Sequence, residues 1–131
     1  MRIIVILLLF MLTFSCQTTL QSIPQDMTPS EFFQKAQAAV VERNDYETAL
    51  KYYQTFLERF PDDVQKTVEA EYEIAFIYYK LEDFDSARSG FTTLLDKYAA
   101  EGSEILPQWP KILSEKVLSG MDSGDPVTAE E

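Results

Sequence analysis

The sequence predicts an all-α fold: two helical hairpins stacked as a short α-solenoid and closed by a fifth, capping helix. Three observations predict it. From residue 29 onward apolar residues recur at i, i+3, i+4 and i+7, the stripe of a helix with one buried face. The apolar runs begin beside helix-capping residues and end at Asn, Pro or Gly. A long stretch of the chain also matches a later stretch at a fixed distance, the sign of a stacked repeat.

The chain opens with Arg2 and the apolar run Ile3 to Leu12, which reaches Phe14 with only Thr13 inside it. Spanning a bilayer takes about twenty such residues, so residues 1–15 read as a signal peptide. The run ends in Thr13-Phe14-Ser15-Cys16, which places the single cysteine where a lipoprotein signal carries its acylated residue. This segment resembles a lipobox of the looser kind, with Leu12 one position early and the bulky Phe14 inside it. The resemblance implies a diacylglyceryl group and an N-acyl chain on Cys16, and two or more chains anchor stably where one does not. Ordinary secretory cleavage at the same bond is the alternative. It leaves an unpaired thiol in an oxidising compartment, which weighs toward lipidation. Residues 16–28 are polar with few apolar side chains and read as a flexible tether.

The helical body is expected over residues 29–120. Thr28-Pro29-Ser30-Glu31 supplies an N-cap, a proline at the first helical position and a glutamate at the third, together a capping box. The helix that starts there carries Phe32, Phe33, Ala36, Ala39 and Val40 and stops near Asn44, which tolerates left-handed angles. Asp45 caps a second helix with the stripe Tyr46, Ala49, Leu50, Tyr53, Phe56, Leu57 and Phe60, and Pro61 ends it.

The second hairpin is the first one again, displaced by the 38 residues that separate Asp45 from Asp83. In that register Tyr46 falls on Phe84, Ala49 on Ala87, Tyr53 on Phe91, Phe56 on Leu94, Leu57 on Leu95 and Phe60 on Tyr98. The repeats cover about residues 30–63 and 68–99. At Asp45-Tyr46, Ala49, Tyr53 and Pro61, and at Ala75, Tyr78, Asp83-Phe84, Ala87 and Phe91, the pattern resembles the tetratricopeptide repeat. Gln37 departs from it where glycine or alanine is usual, Glu82 stands in place of a turn glycine, and Ala99 in place of the closing proline. The spacing of 38 exceeds the family's 34 or so, with the extra residues near Asp63 to Lys66. Longer linkers of that kind resemble those of periplasmic repeat lipoproteins. Examples are the BamD-type component of the outer-membrane β-barrel assembly machinery and the YbgF-type cell-envelope coordinator.

The small residues of the pattern have a physical reason. Ala49 and Ala87 let the two helices of a hairpin approach, while aromatics fill the space beside them, each contributing roughly 1.5–3 kcal/mol when buried. Two repeats are short of the three or so that usually stand alone. Residues 108–119 are expected to supply a capping helix anchored by Trp109 and Leu113 and stopped by Gly120, before a disordered acidic tail over 121–131. If that cap leaves the apolar face open, a second copy of the chain is the remaining cover, as a homodimer.

Composition narrows the function. With 22 acidic against 11 basic residues the net charge is −11, so the basic face that a nucleic-acid partner needs is missing. With no histidine and one cysteine, transition-metal sites, His-based catalysis and intrachain disulfides lose their usual material. No nucleophile stands beside a base in a recognisable motif and no phosphate-binding glycine loop occurs, so neither enzyme activity nor a cofactor is expected. Glu82, Asp83 and Asp85 lack the glycine turn and distal glutamate of a calcium loop, and Asp83 reads as a helix cap. The alternating Glu69, Glu71 and Glu73 read as a solvated face. Arg88 stands where the first repeat has Leu50 and is expected to face solvent or an acid such as Asp85 or Glu82.

The resemblance to the tetratricopeptide family implies a concave groove, lined by the first helix of each repeat, that holds a segment of a partner protein. By register the groove positions include Gln34 and Val41 in the first unit and Glu69, Tyr72, Phe76, Tyr79 and Lys80 in the second. Tyr72, Phe76 and Tyr79 form an aromatic stripe suited to a binding hot spot, unless the fifth helix or the core covers it. The expectation is a lipid-anchored interaction module of the bacterial envelope that binds another envelope protein. The alternative is a permanent structural subunit of a larger complex, stable only with its neighbours. Gln17 after the cysteine resembles outer-membrane sorting in enteric bacteria, so the outer membrane is favoured over the inner, with the body facing the periplasm or the surface.

Overall fold

A computed structural model describes residues 22–124, and the predicted signal peptide, Cys16 and the tail beyond residue 124 lie outside that range. Among the described residues there are five α-helices, α1 (Pro29–Arg43), α2 (Tyr46–Arg59), α3 (Val64–Lys80), α4 (Phe84–Tyr98) and α5 (Gln108–Ser123), with a 3-10 turn at Ser103–Ile105. The all-α expectation of two hairpins and a closing helix holds.

Local chemistry sets the helix starts. Thr28 N–H donates to Glu31 Oε2 at 2.7 Å while Glu31 N–H donates to Thr28 Oγ1 at 3.4 Å, the reciprocal capping box the sequence predicts. Asp45, Asp63 and Asp83 each accept from the backbone N–H three residues on, at 3.0, 3.2 and 3.2 Å. The turns within the hairpins use the left-handed region, with φ of 51° at Asn44 and 62° at Glu82. A glycine is usual at the latter position because a side chain there costs roughly 1–2 kcal/mol, and Glu82 bears that cost. The residues near Asp63 to Lys66, expected as a longer linker, are instead the N-cap and first turn of α3, since Asp63 caps the helix that follows it.

α3 lies at the centre. One face, with Ala70 and Ile77, joins Phe32, Ala36, Ala39, Ala49, Tyr53 and Phe56 of the first hairpin in one core. The other, with Val68, Tyr72 and Ala75, joins Ala87, Phe91, Leu94 and Tyr98 of α4 and Val117 of α5 in a second. Ala49 and Ala87 are fully buried, as the repeat pattern requires. Gly90 belongs to the same seam although nothing in the pattern singled it out: a Cβ there would come within 2.9 Å of the Ala75 Cβ. Gly90→Ala is therefore expected to cost about 1–3 kcal/mol in urea unfolding, and Ala75→Gly in the same chain to restore part of it. An unchanged midpoint in the single variant would show that α3 and α4 can separate at no cost.

Two expectations need correction. Residues 22–28 are no free tether: Ile23 is buried in the first core, and the Arg59 guanidinium donates to the carbonyls of Pro24, at 2.5 Å, and Ile23, at 3.2 Å. Ile23, the partly buried Met27 and two charge-assisted hydrogen bonds dock the segment. Of the cap's two predicted anchors, Trp109 does pack against Tyr72 and Leu113 does not serve. The cap's buried residues are Pro110, Ser114 and Val117, with Leu118 and Met121 packed beside them, while Leu113 and Ile112 face outward. The small Ser114 lets α5 approach closely, which a leucine at the contact would prevent. The helix runs past Gly120 to Ser123, because a mid-helix glycine costs only about 1 kcal/mol and the extension brings Met121 to the core. Gly124, in the left-handed region, is the actual stop. Arg88 is exposed, as expected, and the acid it meets is Asp122 of this extension, at 2.8 Å. Tyr98 Oη fixes the entry to α5 by donating to Pro107 O at 2.6 Å.

Candidate functional site

A cavity of about 320 Å³ opens among α1 and α3, the first helices of the two hairpins, and α2. Gln37, Val40 and Val41 line it from α1, Tyr46 and Tyr53 from α2, and Glu73, Phe76, Ile77 and Lys80 from α3. The walls are mostly apolar. Val41 stands at the rim, 82% exposed, and Lys80 is exposed at the C-terminal end of α3.

The structure divides the groove residues predicted from the sequence. Val41, Phe76 and Lys80 meet in this cavity, whereas Gln34, Glu69, Tyr72 and Tyr79 do not line it. Gln34 is exposed on α1, and Glu69 is paired with Lys66 one turn away. Tyr72 is 7% exposed and belongs to the second core. Its ring lies against Phe91 at 5.8 Å between centroids and takes the edge of Trp109 at 5.1 Å, so the capping helix covers it and it cannot meet a partner. The stripe is nevertheless continuous, since Tyr72 stacks on Phe76 and Phe76 on Tyr79, both at 5.9 Å. It begins in the core and ends at Phe84, with Phe76 reaching the cavity.

Glu69, Glu71 and Glu73 do not form the solvated face expected of them. The three alternating glutamates do point in different directions, but none stands simply in solvent. Glu69 meets Lys66, Glu71 meets Lys97 of α4 and leaves its Oε2 buried without a partner, and Glu73 enters the cavity. Burial pushes the Glu73 carboxyl up to about 7, with the nearby Glu69 charge adding to the effect. Burial also raises the phenol of Tyr53 and pushes that of Tyr72 up to about 12, and in both the Glu73 charge adds to it. The sequence did hold a signal for this. Ala70, Phe76 and Ile77 flank Glu73 at i−3, i+3 and i+4, which puts the carboxylate inside an apolar stripe.

The model of the outer membrane lipoprotein family YfiO matches residues 25–104. The chain belongs to that family. The matched stretch begins in the docked N-terminal segment, covers both hairpins and includes every residue of the cavity, while α5 lies beyond it. The resemblance to periplasmic repeat lipoproteins is borne out, and membership places the chain among proteins of the bacterial cell envelope. An uncharacterized protein of Treponema pallidum (strain Nichols) is 33% identical over 87 residues, covering 66% of this chain and 34% of the relative. The matched part thus spans about a third of that relative's length. No solved structure matches the chain.

Proposed function

We propose that this family member is a non-catalytic docking module, held at the outer membrane by lipid on Cys16, that takes a segment of another envelope protein into the cleft between α1 and α3. The cleft itself carries the reading: about 320 Å³ with mainly apolar walls, a carboxylate within and an exposed valine at the rim, lined in part by the first helices of both hairpins. Membership in an outer membrane lipoprotein family supports the anchor and the compartment. A photo-reactive residue at position 41 is expected to crosslink an envelope protein in intact cells, and one at the exposed position 54 on α2 is not. Equal capture from both positions, or from neither, would remove the cleft from the account. Cys16→Ser is expected to abolish fatty-acid labelling and release the chain from the membrane fraction.

A second reading has its own observation. Ile105, Trp109, Ile112 and Leu113 are exposed in and just before α5, an apolar strip that a permanent neighbour or a second copy of the chain would cover. A structural subunit of a larger envelope complex fits that strip. Sedimentation of the purified chain separates the two: a cooperatively melting monomer supports the docking module, and obligate oligomers or aggregation support the subunit.

A further inference from the structure

Glu73 is a carboxylate in a cleft whose walls are mostly Val40, Phe76, Ile77 and two tyrosine rings. Among the described residues it makes no hydrogen bond and no ion pair. The groups that face it are few. On α3, Glu69 adds a like charge already engaged by Lys66, and Lys80 lies seven residues further along, about 10 Å by helical rise. From α2 come the phenols of Tyr46 and Tyr53, and from α1 the neutral Gln37. An unpaired carboxylate so placed is costly in the free protein, and an incoming cation removes the cost.

The occupant follows from charge. The tail over residues 125–131 brings only carboxylates, the single cation of residues 1–21, Arg2, lies in the predicted signal peptide that processing before Cys16 removes, and a second copy would carry another net −11 toward the cleft. A separate partner is the remaining source of positive charge. We propose that Glu73 is the specificity residue of this cleft, selecting a partner segment that inserts one arginine or lysine between apolar neighbours. The aliphatic stem lies along Val40, Ile77 and Phe76, and the charged head meets the carboxylate. This rests on the docking reading above and adds the chemistry of the partner to it.

A display library of random twelve-residue peptides, selected on the purified full chain, tests both levels separately. Clones that use the cleft are those that lose binding to Val41→Asp, since Val41 lines the cavity and its exposure makes the variant harmless to folding. Among these, arginine or lysine flanked by apolar residues is expected to be enriched, and the enrichment to vanish on Glu73→Gln. For one such clone, Glu73→Gln and replacement of the peptide arginine by neutral citrulline are each expected to weaken binding by about thirtyfold, and the two together by no more than either alone. Cleft-binding clones without basic enrichment, or with an enrichment that survives Glu73→Gln, would overturn the specificity role and leave the cleft standing. A selection that yields no clone sensitive to Val41→Asp would overturn the cleft and the specificity with it.

Discussion

Tyr72→Ala is expected to lower the unfolding free energy by about 3–4 kcal/mol, or roughly 15 °C in melting temperature for a body of this size. The residue is 7% exposed, wedged between Phe91 of α4 and the edge of Trp109 of α5. Truncation opens a cavity where α3, α4 and α5 meet, which the surrounding helices close only in part. The same experiment on Val41→Ala is expected to leave the midpoint within about 0.5 kcal/mol, because Val41 is already in water. Urea titrations of both variants check the pair. A loss below about 1 kcal/mol for Tyr72→Ala would mean that α5 does not seal the second hairpin and that the aromatic stripe is open to partners after all.

Glu73 gives stability a pH dependence opposite to that of a paired carboxylate. Its carboxyl sits at about 7 in the folded chain against an ordinary 4.5, so the native state holds the proton more tightly than the unfolded state. Below the ordinary value both states are protonated and nothing is lost. As pH rises from 4.5 to 7 the unfolded chain has ionised and the folded one has not, and stability falls across that window to a plateau above it. The loss is on the order of 3 kcal/mol. Glu73→Gln, with the same shape and no charge, is expected to remove the fall and to melt higher than the parent at pH 8. Thermal melts between pH 5 and 8 measure it, and parallel curves for parent and variant would show that solvent reaches the carboxylate freely. A cation paired with Glu73 should likewise flatten the curve, because it restores the carboxyl toward its ordinary range.

The starts of α1, α2 and α4 were legible because they are made by neighbours in sequence, and the equivalent cap of α3 at Asp63 was passed over because the repeat register treated those residues as extra linker. Thr28 and Glu31 close a box over three residues, and Asp45 and Asp83 reach N–H groups three residues on, so each is readable without knowing the fold. The match of Asp45 to Asp83 carried the second hairpin from the first. The cleft was half legible: register put Val41, Phe76 and Lys80 on facing helices, and they do share a cavity.

What the chain alone determined was therefore most of what a helix period or a cap expresses: the all-α class, the two hairpins and the alanines of the seam. Tertiary structure decided which side of each helix is covered. Tyr72 went to the core because α5 arrived over it, Ser114 and not Leu113 became the contact of that helix, Ile23 was pinned by an arginine 36 residues away, and Glu73 was left inside a cleft. The reason is that burial belongs to pairs of surfaces far apart in sequence. A helix presents several apolar edges, and only the partner that packs against one of them decides which carboxylate, ring or methyl group loses its water.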